Sequence, residues 1–425
     1  MKKILLIAIL ISLLISHNAY AQTLNLNDCL NIALSHNQSV IDAQEKVNAA
    51  NAKLGQSVSN FLPKLSLSAS KGLNYVEMPT PNQASDVTSY SLNLQQTLFA
   101  GGKVIAGWQI ADVSYQISRE ELRRIKNETV FNVTASFYDL LKVQKGLLVI
   151  NESIANLKRN IEQTQVFYDS GIGSNIDLLR VKTQLANSNI NRIQAENGVK
   201  LAGLALENIL GQKLPSDFEL KEDEFKKVAQ LELSQDDALD LAYKNRPEWR
   251  SYNLAMEIAR KALNIAYGGF LPNIAYLYSI GRTKSEYPTA QSSNSDLSNW
   301  RSMFVASWTL FDGFFTVNQI REAKANYNSA AAQQENIRNG IELEVNSAYL
   351  NLKSAEEKIA AAQTAAELAD KTLKTVEISY RSNIASEQNY LDAHTVNEAA
   401  QLNLISAKYD YEVARAKLNK SIGKD

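Results

Sequence analysis

The chain has 425 residues, with 44 basic and 45 acidic side chains, a formal charge of −1, one cysteine and three histidines. That balance offers no basic stripe for nucleic acid, and a single thiol makes no intrachain disulfide. It holds no metal-ligand spacing, no phosphate-cradling glycine loop and no serine elbow, so no catalytic, cofactor-binding or metal-binding residue is expected.

The first element is a targeting signal. Lys2 and Lys3 precede an apolar run over 4–15, and Ala19-Tyr20-Ala21 is a small-x-small cleavage site, which makes residues 1–21 a signal peptide. The run is too short for a spanning helix, which needs about 20 apolar residues. The chain is therefore exported. Cys29 lies past the cleavage site, and Leu26-Asn27-Asp28 before it do not look like a lipid-attachment signal, so no N-terminal lipid anchor is expected. Cys29 reads as a small buried residue near a helix start. His36 and His394 each stand alone and read as packing or surface residues.

The rest is one unit written twice. Asp28-Cys29-Leu30 matches Asp237-Ala238-Leu239, and Phe61-Leu62-Pro63 matches Phe270-Leu271-Pro272, both at an offset of 209. Thr97-Leu98-Phe99-Ala100-Gly101 then matches Thr309-Leu310-Phe311-Asp312-Gly313 at an offset of 212, a register that Leu210-Gly211 and Ile422-Gly423 keep. Such a repeat is the mark of a duplicated structural unit. Repeat 1 covers 22–212, a charged linker or equatorial segment covers 213–232, and repeat 2 covers 233–425.

Each repeat opens with a helix-compatible stretch, 26–61 and 233–270, where Asp28 and Asp237 suit a first turn and Pro63 and Pro272 end the helix. Two strand-like runs follow, a hairpin over about 64–99 and another over about 273–311. Leu65, Leu67 and Leu73 alternate with Ser66, Ser68 and Asn74; Tyr90, Leu92 and Leu94 alternate with Ser91 and Asn93. Ile274, Tyr276, Tyr278 and Ile280 share one face of their run, and Trp300, Phe304, Trp308 and Leu310 one face of theirs. This period-2 pattern, with Ser, Asn, Thr and Gly opposite the apolar set, fits a barrel with lipid outside and water inside. Four strands cannot close one, since the smallest use about eight, and lipid tolerates no open edge, so several chains must share it. The hairpin loops, 77–87 and 283–298, carry Pro79, Pro81 and Pro288.

From 102 to about 170 the chain reads as one helix roughly 100 Å long. A heptad seam runs Leu147, Ile150, Ile154, Leu157, Ile161 and Tyr168, and in repeat 2 Ile359, Ala362, Ala366, Ala369, Leu373, Val376 and Tyr380. Turns at 170–174 and 382–386 lead into returning helices. Gly171 suits a positive φ, and Asn383 is the next best residue there.

Together these features resemble the TolC-like outer membrane efflux proteins over nearly the whole mature chain. The resemblance rests on the duplicated helix starts, the paired Phe-Leu-Pro steps, Leu98-Phe99-Ala100-Gly101-Gly102 with its weaker copy, and the two helix–turn–helix tips. It implies a mainly α fold with a small β part. A long antiparallel coiled-coil tunnel would join a twelve-stranded barrel shared by a homotrimer, each chain giving four strands. It implies a passive exit duct through the outer membrane of a Gram-negative bacterium, fed by a periplasmic adaptor and an inner-membrane pump of the RND, ABC or MFS type. The tips Gly171, Ile172, Ser174, Asn383, Ile384 and Ser386 would touch the adaptor. Asp177, Tyr380 and Asp392 would form the periplasmic gate, with the Tyr380 phenol donating to Asp177 and three Asp392 side chains ringing the tunnel. The family often has a basic residue where this chain has Ala385 and an acid where it has Asn389, so the lock is thinner here. The alternative from another class is a secreted coiled-coil stalk without a pore, which explains the helices but not the paired strands.

Overall fold

The computed structural model describes residues 23–76, 83–215, 218–222, 233–287 and 294–424. The signal peptide, Pro79, Pro81, Pro288 and residues 223–232 lie outside the described residues.

The expected first helix is two helices in each repeat. In repeat 1 they are α1 (Leu26–His36) and α2 (Gln38–Val58), and in repeat 2 α5 (Gln235–Asn245) and α6 (Pro247–Tyr267). Asn37 makes the first break: its backbone is extended, its Oδ1 accepts from the Ser39 and Val40 amides, and its Nδ2 donates to the Ile209 carbonyl at 2.7 Å. It closes one helix and caps the next. Arg246 makes the second, because the residue before a proline is pushed out of the α region and proline suits a first helical position. A capping box of Asn25 and Asp28 starts α1, and Ser234 with Asp237 starts α5. Leu62 and Leu271, each before its proline, are extended as expected.

The hairpins are β2 (Lys64–Val76) with β3 (Gln83–Ala100), and β5 (Asn273–Glu286) with β6 (Ser295–Ser307). The short parallel pair β1 (Thr23–Leu24) and β4 (Glu219–Leu220) lies apart from them. The hairpin strands reach further into the expected loops than the alternation indicated. Their outer ends are mostly polar and are held in part by pairs such as Arg282 with Asp296, at 2.7 Å, and Ser89 with Thr283. At the other end β6 stops at Ser307, short of 311, so Trp308 and Leu310 are not strand residues; the Trp308 indole donates to the Phe270 carbonyl.

The two hairpins join through β3 and β5 into one antiparallel sheet of order β2-β3-β5-β6. Directly paired residues share a face, so the register carries the alternation across all four strands. Leu67, Leu92, Ile280 and Trp300 form one row, and Ser68, Ser91, Gly281 and Asn299 the row behind it.

The long helices are α3 (Lys103–Asp169) and α7 (Phe315–Arg381), 67 residues each, and the returning helices are α4 (Asn175–Leu210) and α8 (Glu387–Ser421). Among the described residues no helix is long and apolar enough to cross a membrane. The chain divides into two compact units, residues 1–42, 124–246 and 341–425, and residues 43–123 and 247–340. The sheet belongs to the second unit. The first unit has its main core around Cys29, Ala33, Val133, Phe137, Leu140, Leu206 and Leu210. Each such fully buried large side chain contributes about 1.5–3 kcal/mol. The Cys29 thiol is buried there, and burial raises its pKa to about 11.

Candidate functional site

The tips are two copies of one turn. α3 ends at Asp169, Gly171 takes φ +70, and the Ile172 and Gly173 amides return to the Phe167 carbonyl. In the second copy Asn383 takes φ +59, and the Ile384 and Ala385 amides return to the Ser379 carbonyl. These back-bonds satisfy carbonyls left open at a helix end. Ser174 and Ser386 cap the returning helices, accepting from the amides of Ile176 and Asn389. Ile172 and Ile384 stand 60% and 83% exposed at the turns.

The seam behind the tips follows the expected row in repeat 2, where Ile359, Ala366, Ala369, Leu373 and Tyr380 are buried. Repeat 1 departs from it. Ile150, Ile154 and Leu157 are buried, but Tyr168 is 43% exposed and does not complete the row. Thr164 and Phe167 take that place. Phe167 meets Tyr380 edge to face at 5.5 Å, and Tyr390 packs on its other side. The helix offers one residue per turn to the seam, and Phe167 is the larger apolar group on that face.

The gate candidates separate. Tyr380 is 6% exposed and packs with Leu157, Val181, Leu373 and Tyr390. Among the described residues its phenol bonds not to Asp177 but to the Thr164 hydroxyl, at 2.8 Å. Asp177 sits in the first turn of α4, where a carboxylate favours a helix start, and faces Arg180 at 4.0 Å. Asp392 is exposed and accepts from Gln388 at 2.8 Å. Sequence reasoning missed Asn160, Thr164 and Glu387: Thr164 meets the Tyr380 phenol, and Glu387 accepts from both Asn160 and Thr164. Burial raises the phenol's pKa, and the Glu387 carboxylate adds to the shift. Burial likewise raises the Glu387 carboxyl, against hydrogen bonds from Tyr380, Asn160 and Thr164. The signal was present as a buried-phase position: Glu387 lies three residues before Tyr390 and seven before His394, on one face of α8.

The family profile described as outer membrane efflux protein matches residues 29–212 and 238–424, one match per repeat. The chain belongs to that family. It is 23% identical to outer membrane protein TolC of Escherichia coli over all of this chain and 87% of the relative. It is 23% identical to the alkaline protease secretion protein AprF of Pseudomonas aeruginosa over 96% of this chain and 85% of that one. Among solved structures, the CmeC outer membrane channel of Campylobacter jejuni superposes with a TM-score of 0.83 at 17% identity, covering 94% of this chain and 85% of that one. The outer membrane channel OprN superposes with a TM-score of 0.82 at 18% identity, covering 94% and 90%. As an outer membrane efflux protein the chain is an exit duct of an efflux or secretion system, in the outer membrane of a Gram-negative bacterium.

Proposed function

We propose that three copies of the chain form one duct. Each gives four strands to a twelve-stranded barrel and two helical hairpins to a tunnel. A periplasmic adaptor docks on the tips at Gly171, Ile172, Ser174, Asn383, Ile384 and Ser386, and an inner-membrane pump of the RND, ABC or MFS type drives the cargo. The observation that carries this reading is the sheet. Its apolar row is uncovered, with Leu67 76% and Trp300 70% exposed, while the row behind is polar and in register with it. Strands β2 and β6 each have one neighbour within the sheet. Lipid requires those edges to pair, and three sheets of four strands satisfy the requirement. The stalk reading leaves both edges and the apolar face without a purpose.

In this reading Asp177, Tyr380 and Asp392 gate the resting tip, Tyr380 from its buried place against Thr164 and Asp392 from the exposed side of α8. Single-channel conductance of the purified protein in planar bilayers tests the duct and the gate. A small wild-type conductance that rises in the Tyr380→Phe, Asp177→Ala double variant is the expected result. Heat-stable trimers on SDS gels should accompany it. Well-inserted trimers without current, variant included, would favour the stalk.

A further inference from the structure

Glu387 is 4% exposed at the start of α8. Its Oε1 accepts from Asn160 Nδ2 at 2.6 Å and its Oε2 from Thr164 Oγ1 at 3.3 Å. The Tyr380 phenol, held by Thr164 at 2.8 Å, lies beside the same carboxyl, which adds to the rise in its pKa. Asn160 and Thr164 belong to the first hairpin, Tyr380 and Glu387 to the second. One carboxyl therefore ties together the two hairpins of a single chain, close behind both tips.

A carboxyl is a costly group to bury here. Replacing a buried polar cluster by packed apolar side chains is often neutral or stabilising, so its presence is weak evidence for stability alone. Just beside it Leu157, Val181 and Leu373 hold the helices by apolar area. Hydrogen bonds differ from area in one respect: water can replace them when the helices part. A polar cavity of about 80 Å³ adjoins the cluster, lined by Arg159, Asn160, Glu377, Tyr380, Arg381 and Tyr390. That is room for water, which needs about 10–15 Å³ per molecule and polar partners. Donors released by opening would be solvated rather than stranded.

We infer that Glu387 is the positioning residue of the tip latch: its carboxyl, accepting from Asn160 and Thr164, holds the two hairpins of one protomer together in the shut duct and releases them to water as it opens. The inference rests on the gated-duct reading above.

The test is conductance in planar bilayers, with trimer heat stability measured in parallel. Glu387→Leu removes every acceptor and should raise the conductance severalfold, while Glu387→Gln, which keeps one carbonyl acceptor, should restore much of the wild-type value. Asn160→Asp sets a second carboxyl against the first, and two such groups share a proton in acid but repel when both ionise. The other charged or titratable groups facing the pair are Arg159 on α3, Asp177 on α4, Glu377, Tyr380 and Arg381 on α7, and Tyr390 on α8. Wild type retains all six, so its own profile is the reference. The Asn160→Asp conductance should be near wild type at pH 5 and severalfold higher at pH 8. Heat-stable Glu387→Leu trimers of wild-type conductance overturn the latch. If that variant does not assemble, an Asn160→Asp profile parallel to wild type overturns it. No current from any inserted protein, wild type and variants alike, overturns the gated duct itself, and the latch with it.

Discussion

His394 is 2% exposed, with Tyr390 beside its ring at 6.1 Å and the Ser153 hydroxyl 3.4 Å from Nε2. Ser153 also donates to Glu398, and among the described residues Nδ1 of His394 has no hydrogen-bond partner. Burial lowers the histidine pKa, outweighing the opposing pull of Glu398. A base whose folded pKa is depressed adds stability above its unfolded value, about 6.5, and that stability is lost as pH falls towards the lower folded value. The thermal midpoint of the wild type should therefore fall between pH 7 and pH 5 more than that of His394→Gln. Parallel profiles for the two proteins would show that His394 does not titrate on unfolding. The sequence reading of His394 as a packing residue agrees with this burial. Its partners were not legible, because Ser153 and Glu398 are a hairpin apart or on the same polar-looking turn, and nothing local marks them as facing inward.

At the scale of elements, the joint between helices was the part least visible in the chain. Gly211 ends α4 with φ +75, and a Cβ there would lie 2.4 Å from the His36 carbonyl oxygen, just where α1 breaks. Gly423 does the same against Asn245 and Arg246 in repeat 2, with φ +69. The duplicated glycines were apparent as a motif, but their purpose appears only when the returning helix meets the break. Gly211→Ala should cost about 2–3 kcal/mol, from a strained left-handed backbone and a displaced neighbour. Gly171→Ala, at a tip with open space around it, should cost only about 1 kcal/mol. Urea unfolding of the detergent-solubilised protein, followed by helical circular dichroism, separates the two; equal costs would deny the close approach at Gly211. The second break is held further. Arg246 donates to Glu344 at 2.7 Å, and Lys417 donates to the same carboxylate. Burial pushes Glu344 upward, but these two cations outweigh it and hold its pKa near about 2. Long helices, by contrast, were legible almost to the residue. Proline-free stretches with a seam leave no other regular structure, and the Gly or Asn after each marks its end.

At the scale of the whole molecule, the sheet decides where the protein lives. Leu67→Arg places a charge in the uncovered apolar row, and a charge at mid-membrane on a barrel's lipid face costs about 2–4 kcal/mol. Ser68→Arg, one residue on, faces the other way. The first variant should lower the yield of heat-stable trimers in outer membrane fractions; the second should leave the yield intact and change the conductance. Reversed outcomes would invert the two faces of the sheet. The amino-acid sequence by itself determined the duplication, the period of each element, the two tip turns and the alternation of the strands, because these depend on neighbours a few residues away. Only the tertiary structure decided that the β3–β5 pairing aligns the apolar rows, that Tyr168 turns outward while Tyr380 turns in, and that Tyr380 meets Thr164 and Glu387 rather than Asp177. Those outcomes depend on which faces of distant helices pack together. A side chain's burial and hydrogen-bond partner are set by that packing, and no local pattern encodes it.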